Sequence, residues 1–433
     1  MEQSQITVSA RDLGEFDVAV AGGGVAGVAA AVTAAKHGCR IVLIEGCGCL
    51  GGALTAGLVP NMSLDREGKG GIVAEFFRFM DEHGFTCPRR GNTADEAGDP
   101  LPGGVVSPDG AKILFDIWCR EAGVTTLLYS YVIGVEMDGR SIRRLFLGSE
   151  CGPAVVRAKV YVDATGNGTL SRMAGCRGEF GDPENGRPQP ATLGFTMSGL
   201  DLASSTVDKA AYGEELAATG VRLSNRRPCA LKLPDMHNVL VWSNYAPDVR
   251  PDDILSLTSA TMHAREECLA VAEAHRAISA HRRARLGTIA EHLGIREGYR
   301  IAGLYRLTLD DLRNGSRFDD GICPVSFGVD VHDPDRSAPA ASRPPVRPYQ
   351  IPYRALVPED ADNLLLCGRL LSGDFHAHAS YRVICNMMTV GEAVGRAAKF
   401  IVDENISPRS LDGRRVNAYM RDRGYQLQGG GAP

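Results

Sequence analysis

The chain has 433 residues, of which 44% are hydrophobic and 23% are charged, an ordinary composition for a globular protein with a sizeable core. Its formal net charge of -5 argues against a nucleic-acid binder, because such proteins usually present a basic face. The charge also gives no reason to expect an anionic membrane as a partner. Residues 1–11 are polar and lack the apolar run of a signal peptide, so a cytoplasmic location is expected.

The cysteines and the longest apolar stretch indicate neither a disulfide framework nor a membrane span. Twelve cysteines are scattered along the chain, and reduced thiols are expected for them. Cys47 and Cys49 form a close pair without a second pair at metal-ligand spacing, so no metal is expected. Three consecutive glycines interrupt the apolar stretch Val18–Ala35, which is therefore a poor candidate to cross a membrane.

The amino-terminal region predicts a β-α-β unit behind a polar arm at residues 1–14. Phe16–Ala21 is a short apolar run typical of a strand, and the Ala-rich Val25–Lys36 has high helix propensity. Cys39–Glu45 is almost wholly apolar and rich in β-branched residues, as expected for a parallel strand that is buried on both faces.

Further along the chain the pattern predicts strands and helices separated by two loop-rich stretches. Loops are predicted at residues 87–110 and 178–190, where Gly, Pro and Asp are frequent. The predicted strands are Thr125–Met137, Ser141–Leu147, Val155–Asp163, Leu193–Leu200, Val239–Asn244 and Asn363–Gly368. The predicted helices are Gly110–Ala122, Ser256–His292 with a break near residues 281–287, and Ser380–Val402.

These elements predict an α/β protein with a Rossmann-like, parallel-stranded domain and an inserted α+β domain for the substrate. The Pro- and Arg-rich stretch 330–348 marks the expected exit from the insertion. The expected boundaries are 15–177 and 347–405 for the two parts of the Rossmann-like domain, 178–346 for the insertion and 406–433 for a C-terminal tail.

A glycine turn lies between the first predicted strand and the first predicted helix. Gly22 permits a tight turn, Gly24 lets the backbone approach a pyrophosphate, and Gly27 lets helix and strand pack closely. The helix N-terminus faces the negative charge of the phosphates. Glu45, at the end of the second strand, can accept from ribose hydroxyls. The complete unit predicts a dinucleotide-binding site, and a purely structural glycine turn is the alternative.

A second glycine-rich stretch distinguishes between FAD and NAD. Gly51 and Gly52 follow Glu45 closely, where a nicotinamide dehydrogenase has no particular need of glycine. A flavoprotein needs glycine there, because the isoalloxazine end of FAD passes close to the backbone beyond the second strand. Asp163–Gly168 follows a strand, as a further dinucleotide contact would. No second Gly-rich β-α-β unit is apparent, so a separate NAD(P)H-binding domain is not expected.

Five separate stretches resemble the FAD-dependent oxidoreductase family. They are Asp17–Gly57, Asp163–Gly175, Pro190–Asp201, Gly294–Asp333 and Ile351–Ala398. The last contains Gly368-Arg369 and the block His378-Ala-Ser380 with Arg382. The resemblance implies the fold of glutathione-reductase-type flavoproteins, with FAD as the cofactor.

The resemblance also implies which residues contact FAD. Its ADP half would be held by Gly22, Gly24, Gly27 and Glu45, and its pyrophosphate and flavin would lie along Gly51, Gly52 and Thr55. Adenine would meet the backbone of Val132, Gly166 with Asp163 would close the ADP side, and Asp374 would bind the ribityl chain or pyrophosphate. The remaining expected cofactor positions are Val25, Ala26, Gly46, Ala53, Ala164, Thr165, Gly368, Ser380 and Val383. Phe375-His376 stands where many members have His-Glu, which leaves the substrate class open.

The stretch Asp374–Arg382 opens the last predicted helix and carries candidate catalytic side chains. The N-terminus of that helix would stabilise the negative charge of reduced flavin. His378, and after it His376, are candidates for proton transfer near neutral pH; a histidine bonded to a backbone carbonyl is the alternative. Arg382 is a candidate anchor for a substrate carboxylate or for the flavin carbonyl, and a salt bridge or a cap contact is the alternative. Arg296 is a further candidate anchor, with a structural ion pair as the alternative.

The sequence therefore predicts an FAD-dependent dehydrogenase or oxidase for a small organic molecule, with bacterial specialised metabolism as one setting. A hydride would pass to flavin N5 and a proton to a histidine, with oxygen or NAD(P)H as candidate co-substrates. An NAD(P)H-driven monooxygenase or reductase and a non-catalytic, FAD-stabilised binding protein are the alternatives. No nucleic-acid or membrane partner is expected, and a homo-oligomer is left open.

Overall fold

The structure is a computed structural model that describes residues 7–62, 65–87, 104–200, 202, 207–235, 237–333 and 344–427. Its strands are β1 (Arg11–Ala21), β2 (Ile41–Ile44), β3 (Thr86–Cys87), β4 (Val105–Val106), β5 (Thr125–Leu127), β6 (Tyr131–Asp138), β7 (Ser141–Gly148), β8 (Ala154–Asp163), β9 (Gly178–Glu179), β10 (Phe195–Ser198), β11 (Cys229–Lys232), β12 (Asn238–Trp242), β13 (Arg285–Ile289), β14 (Arg300–Ile301), β15 (Gly321–Val325), β16 (Tyr349–Pro352) and β17 (Leu364–Leu366). Its helices are α1 (Val25–Lys36), α2 (Gly71–Glu82), α3 (Pro108–Glu121), α4 (Thr169–Met173), α5 (Lys209–Ala217), α6 (Ile254–Ala277), α7 (Leu309–Asn314), α8 (Phe375–Tyr381), α9 (Ile384–Glu404) and α10 (Gly413–Asp422).

The largest sheet joins a parallel nucleotide-binding core to an antiparallel extension. Its strand order is β5-β2-β1-β8-β7-β6, and β17 also pairs with β8. The first four strands and β17 are parallel, whereas β7 and β6 are antiparallel. Tyr161–Asp163 of β8 pairs with β17, while Ala154–Val156 of the same strand pairs with β7. The carboxyl ends of β1, β2, β8 and β17 therefore meet at one edge, where open α/β sheets bind their ligands.

Helix α1 is rich in alanine because it is enclosed on nearly every side. Every residue from Ala26 to Ala34 is buried. Helix α9 lies so close that a Cβ on Gly391 would lie 2.3 Å from the backbone oxygen of Ala26. A Cβ on Gly395 would lie 2.4 Å from the backbone oxygen of Ala30. Glycine at these two positions permits the close approach, which holds the first turns of α1 beside the N-terminal half of α9.

A separate four-stranded antiparallel sheet has the order β11-β12-β10-β13 and a core of its own, in which Phe195 and Leu240 pack with Val271 of α6. Leu307 and Ile322 also fall within the stretch expected to form the insertion, 178–346. In contrast to the residues of the four-stranded sheet, they pack in the core that contains α1 and α9, and β15 pairs with β16. The predicted fold class is confirmed: an α/β protein with a parallel, Rossmann-like sheet and an additional α+β part.

Two predicted helical segments are wrong in part. The helical prediction for Ser256–His292 holds only as far as Ala277, because Arg285–Ile289 forms strand β13. Leu286 and Ile289 of β13 pair with the free edge of β10, a long-range contact that no local pattern reveals. The helix expected over Ser380–Val402 is two helices, α8 and α9, because the chain turns at Arg382 and Val383.

Two predictions near the main sheet are also wrong in part. Residues 11–14, expected in a polar arm, belong to β1, because Arg11 and Asp12 pair with Ala154 and Val155 of β8. The strand expected over Thr125–Met137 is broken into β5 and β6 by a turn that contains Tyr129 at φ 53°. Most of the loop predicted at residues 87–110 lies outside the described residues.

Candidate functional site

The glycine turn after β1 has the two kinds of close packing that its spacing predicts. Gly22 has φ 104°, and a Cβ there would lie 2.4 Å from the backbone oxygen of Ala164. A Cβ on Gly27 would lie 1.9 Å from the backbone oxygen of Gly22. At Gly24, however, a Cβ would meet no heavy atom within 4 Å. The first and third glycines are therefore needed for packing, whereas the second faces open space.

The N-terminus of α1 faces this open space without a side-chain cap. Gly24 is the N-cap residue and supplies no side-chain hydrogen bond, and Val25 and Ala26 form the first turn. The first amides of a helix have no partner within the helix and carry partial positive charge. The helix end is thus equipped to receive an anion such as a phosphate.

Glu45 lies between the glycine turn and the loop that follows β2. Its Oε2 accepts a hydrogen bond from the amide of Gly23 at 2.6 Å, and its Oε1 accepts one from the amide of Cys47 at 2.7 Å. The adjacent Gly46 lies under the ring of Tyr131, since a Cβ there would be 2.3 Å from that ring. A carboxylate has about four acceptor sites, so Glu45 retains acceptor capacity for a ligand hydroxyl.

The second glycine-rich stretch lies directly against the first. The amide of Gly51 donates to the backbone oxygen of Gly23 at 2.8 Å, and Gly51 and Gly52 have φ values of 104° and 53°. Thr55 donates to the backbone oxygen of Leu50 at 2.6 Å, which fixes the turn. The structure therefore brings together two stretches that are separated by more than twenty residues in the sequence.

The turn after β8 completes this edge of the sheet. The amide of Ala164 donates to the backbone oxygen of Ala21 at 2.7 Å. Asp163 is fully buried and accepts four hydrogen bonds, from the amides and hydroxyls of Thr165 and Ser171. Its carboxylate is therefore occupied in shaping the turn. Gly166, with φ 73°, packs against the guanidinium of Arg369.

Gly368 and Val132 lie farther from the glycine turn but remain connected to it. Gly368 has φ 98°, and a Cβ there would lie 3.5 Å from the Cβ of Ala26. Val132 pairs with Leu147 in the edge strand β6 and is half-buried. It follows Tyr131, whose ring covers Gly46, so it lies near the loop after β2.

Two expected cofactor residues hold the protein's own backbone. Asp374 is the N-cap of α8, where its Oδ1 accepts from the amide of Ala377 at 2.7 Å, and its Oδ2 accepts from the amide of Leu309 at 2.7 Å. The Ser380 hydroxyl accepts a hydrogen bond from Tyr349 at 2.9 Å and donates to the backbone oxygen of Phe327. Both side chains fasten α8 to neighbouring segments.

The two predicted catalytic histidines have different surroundings. His376 lies in the first turn of α8, half-buried and edge-on to the ring of Phe375. His378 is fully buried, and neither ring nitrogen has a hydrogen-bond partner in the described residues. Burial, and then the charges of Arg382, Arg300 and Arg369, hold the pKa of His378 well below its ordinary value, so its imidazole is neutral at pH 7.

A cavity of about 290 Å³ lies between the second glycine-rich stretch and the four-stranded sheet. Ala53, Val383 and Ile384 line one side, and Tyr245 and Trp242 line another. The N-terminus of α9, at Val383, has no side-chain cap and therefore presents amides to this space. The cavity volume is close to the lower end of the roughly 300–1,000 Å³ that is usual for small-molecule sites.

The predicted anchors Arg296 and Arg382 both line this cavity. Arg296 donates from Nη1 to the backbone oxygen of Pro190 at 2.6 Å and to the Thr192 hydroxyl at 2.7 Å. Burial lowers the pKa of Arg296 to about 10, and the group remains charged at pH 7. Arg382 donates to the backbone oxygen of Asp330 at 2.9 Å. Its Nη2 lies 3.7 Å from the Asp330 carboxylate.

A chain of three side chains in the cavity wall was not predicted from the sequence. The Tyr245 hydroxyl lies 2.7 Å from Nδ1 of His332, and Nε2 of His332 lies 3.0 Å from the Asp330 carboxylate. Burial, and then the charge of Arg296, lower the pKa of His332 to about 4. A neutral imidazole in this setting donates from Nε2 to Asp330 and accepts at Nδ1 from Tyr245. The only local signal is the Asp-Val-His-Asp pattern at residues 330–333.

Unsatisfied polar atoms on Arg369, which lines this cavity, and on His378, which does not, fit a polar cofactor. Both ring nitrogens of His378 and Nε of Arg369 are buried without a hydrogen-bond partner in the described part of the chain. Buried polar groups are normally hydrogen-bonded, so a ligand with its own acceptors and donors would complete them. With the uncapped N-terminus of α1 and the open side of Gly24, the arrangement fits a molecule that has both phosphates and a polar ring system. No group of three His, Cys, Asp or Glu side chains in the described ranges is arranged to hold a metal ion, and no described helix is long and apolar enough to cross a membrane.

Solved structures with the same fold cover nearly the whole chain. A geranylgeranyl bacteriochlorophyll reductase-like protein from Thermoplasma acidophilum is 15% identical, with 95% of this chain and 85% of that chain covered and a TM-score of 0.52. The myxobacterial chondrochloren halogenase CndH is 14% identical, with 95% and 79% covered and a TM-score of 0.51. The flavin-dependent brominase Bmp2 is 14% identical, with 94% and 83% covered and a TM-score of 0.50. At these identities the likeness concerns the fold alone.

No curated protein gives a significant sequence match. The sequence nevertheless matches the family described as FAD dependent oxidoreductase over residues 17–420. This match includes both glycine-rich stretches, Glu45 and the helices α8 and α9. This chain therefore belongs to the FAD-dependent oxidoreductase family, and its cofactor is FAD.

Proposed function

We propose that this protein dehydrogenates a small organic molecule in the 290 Å³ cavity, with Tyr245 and His332 relaying the proton of the substrate and Asp330 stabilising the protonated His332. The observation that carries this proposal is the unbroken hydrogen-bonded chain from the cavity wall to a carboxylate. FAD, when bound, supplies the acceptor for the two electrons that leave with the hydride.

The cofactor would lie along the turns that meet at the sheet edge. Gly24, Val25 and Ala26 would face its phosphates, and Glu45 would accept from its ribose. The other proposed contacts are those implied by the family resemblance, namely Gly22, Gly27, Gly46, Gly51, Gly52, Ala53, Thr55, Val132, Ala164, Thr165, Gly166, Gly368, Asp374, Ser380 and Val383. Asp374 and Ser380 would contribute mainly by positioning α8, because their side-chain oxygens bond the protein itself.

Proton removal would proceed through Tyr245. Its hydroxyl would take the proton from the substrate as its own proton moves to Nδ1 of His332. The depressed pKa of His332 keeps this nitrogen unprotonated at neutral pH, and Asp330 would stabilise the imidazolium that forms. Arg382 holds Asp330 in place through its contacts with the backbone oxygen and the carboxylate.

The two histidines predicted as bases from the sequence, His378 and His376, would have other roles in this mechanism. His378 is buried and is absent from the lining of the cavity. We assign it a polar contact with the cofactor, because both of its ring nitrogens lack a protein partner in the described residues. His376, half-buried in the first turn of α8, would remain a secondary candidate for proton exchange with solvent. Arg296 would face the substrate.

Anaerobic mixing of the FAD-loaded protein with a panel of small organic acids and alcohols tests the proposal. Bleaching of the visible flavin absorbance by one of these compounds supports it. In Tyr245→Phe the rate of bleaching should fall by roughly 10²–10⁴-fold, the usual contribution of a positioned base. Tyr299→Phe is the matched control, because Tyr299 bonds Asp252 outside the cavity.

Three outcomes would contradict the proposal. Fast bleaching by NADPH without another substrate would favour an NAD(P)H-driven monooxygenase or reductase. An unchanged rate of flavin bleaching in both Tyr245→Phe and His332→Gln would show that these two residues do not relay the proton. Failure of every compound to bleach the flavin, with FAD tightly bound, would favour the non-catalytic binding protein.

A further inference from the structure

The charged residues that line the cavity are strongly unequal in sign. Its lining carries five cations and, among the described residues, one carboxylate, that of Asp330. Asp330 is already in contact with Arg382 and His332. The cations are Lys209, Arg227, Arg296, Arg369 and Arg382. A cavity with this imbalance attracts anions.

Two of the five cations are already assigned, one to the proposed cofactor site and one to the proton relay. Arg369 packs on Gly166 and donates to the Asn167 side chain at 2.8 Å, beside the turn proposed for the ADP half. Arg382 holds Asp330. Arg296, Lys209 and Arg227 remain, and none of them forms an ion pair with a described carboxylate.

Arg296 is the inner cation. Only Nη1 of its guanidinium donates to described residues. The guanidinium lies 5.4 Å above the centre of the Tyr245 ring, next to the proposed proton acceptor. Arg296 is half-buried, and a charge that has lost part of its hydration is stabilised by a nearby counter-charge. An acid group of the substrate placed here would provide that counter-charge and would bring the adjacent carbon close to the Tyr245 hydroxyl.

Lys209 and Arg227 are the outer cations. Both are exposed and both line the same cavity as the half-buried Arg296. The neighbouring carboxylate, Asp208, caps the N-terminus of α5, where it accepts hydrogen bonds from the amides of Ala210 and Ala211. The two cations are thus available to a second acid group at the mouth of the cavity.

Besides these cations the lining includes the aromatic side chains of Trp242 and Tyr245. The indole nitrogen of Trp242 donates to the backbone oxygen of Leu58, so this ring offers the substrate apolar surface. We propose that the substrate is a small dicarboxylate, with one carboxylate on Arg296, an apolar body against Trp242, and the other carboxylate on Lys209 and Arg227. This inference rests on the proposed function and specifies its substrate class. A phosphomonoester fits less well, because it concentrates its charge at one end.

Ligand binding without turnover tests the inference. The FAD-loaded protein is titrated with isophthalate, benzoate or phenyl phosphate, and the shift of the visible flavin spectrum gives each dissociation constant. Isophthalate should bind at least about tenfold more tightly than benzoate, since one charge-assisted contact contributes that much. The double variant Lys209→Gln, Arg227→Gln should remove this preference and leave benzoate binding unchanged, whereas Arg296→Gln should weaken both ligands. Arg222→Gln is the control, because Arg222 is exposed and outside the cavity.

Equal binding of isophthalate and benzoate would overturn the inference, as would a preference for isophthalate that survives the double variant. Phenyl phosphate binding as tightly as isophthalate would contradict two separate acid sites. The two proposals can fail separately. If dicarboxylates bind with the expected pattern but none bleaches the flavin, the substrate class stands and the dehydrogenation fails. If only monocarboxylates bleach it, the dehydrogenation stands and the substrate class fails.

Discussion

Gly24 and Gly27 are three residues apart, yet a methyl group would have opposite surroundings at the two positions. Gly24→Ala is predicted to leave the stability of the FAD-free protein nearly unchanged, because its Cβ would meet no heavy atom within 4 Å and φ is -64°, which alanine adopts readily. The affinity for FAD should fall by at least about tenfold, or ~1.4 kcal/mol, because the methyl group occupies space proposed for the cofactor. Fluorescence titration of FAD and thermal unfolding of the FAD-free protein measure the two effects.

Gly27→Ala is the comparison for this prediction. Its Cβ would lie 1.9 Å from the backbone oxygen of Gly22, so the helix must move away from the strand, at a cost of roughly 1–3 kcal/mol or more. The unfolding midpoint of the FAD-free protein should therefore drop in this variant and not in Gly24→Ala. If Gly24→Ala binds FAD as the wild type does, the proposed path of the cofactor is wrong.

At the scale of one element, substitutions of Asp374 distinguish a structural role of this residue from a role in cofactor binding. It caps α8 and also bonds the amide of Leu309, so Asp374→Ala is predicted to destabilise the FAD-free protein by roughly 1–3 kcal/mol. Asp374→Asn should lose less, because its amide oxygen can still cap the helix. Urea unfolding without FAD measures both changes.

Asp412→Ala is the matched control, because Asp412 caps α10 at the surface through the amide of Arg414. It should cost about 1 kcal/mol, the usual value of an N-cap. A loss in Asp374→Ala no larger than this would mean that the Leu309 bond contributes nothing. An unchanged stability of the FAD-free protein, with FAD binding lost, would instead assign Asp374 to the cofactor alone.

The elements that the sequence predicts well are those with local determinants. The unit β1-α1-β2 follows from apolar runs, glycine spacing and an alanine-rich helix, all of which act within a few residues. Strand β13 was missed because its pairing partner, β10, lies about ninety residues earlier in the sequence. The break between α8 and α9 was missed because no glycine or proline marks it in the sequence.

The residues of the candidate site also differ in whether a local sequence pattern or long-range packing determines their place. The glycines and Glu45 form a spaced pattern that can be read from the chain, since each has a fixed task in the turn. Tyr245 and His332 lie 87 residues apart, and only the packing of the four-stranded sheet against the main domain brings them together. His378 stands in a recognisable block, but its full burial depends on neighbours from several elements. The proposed FAD contacts are therefore more readily read from the sequence than the proposed proton acceptor.

At the scale of the whole molecule, buried neutral histidines make stability depend on pH. His275 is fully buried, and desolvation, followed by the nearby His281, lowers its pKa to about 4. The unfolded chain binds a proton near its ordinary pKa of about 6.5. Between pH 6.5 and pH 4 the unfolded state therefore holds more protons at this position, and the free energy of unfolding falls as the pH is lowered through that window. The stabilisation is fully present above pH 6.5, and its loss at pH 4 amounts to roughly 3 kcal/mol for this histidine.

The variant His275→Gln isolates this contribution from the carboxylates that titrate in the same range. Urea unfolding at pH 7 and pH 4.5 should show a smaller difference between the two pH values in the variant than in the wild type, although the variant is less stable at pH 7 because it loses the bond to Tyr212. His263→Gln should keep the wild-type difference, since His263 is largely exposed on α6. Equal pH dependence in wild type and His275→Gln would mean that His275 becomes protonated in the folded protein near pH 6.5. The buried Tyr212–His275–His281 contacts would then tolerate a charge that their burial argues against.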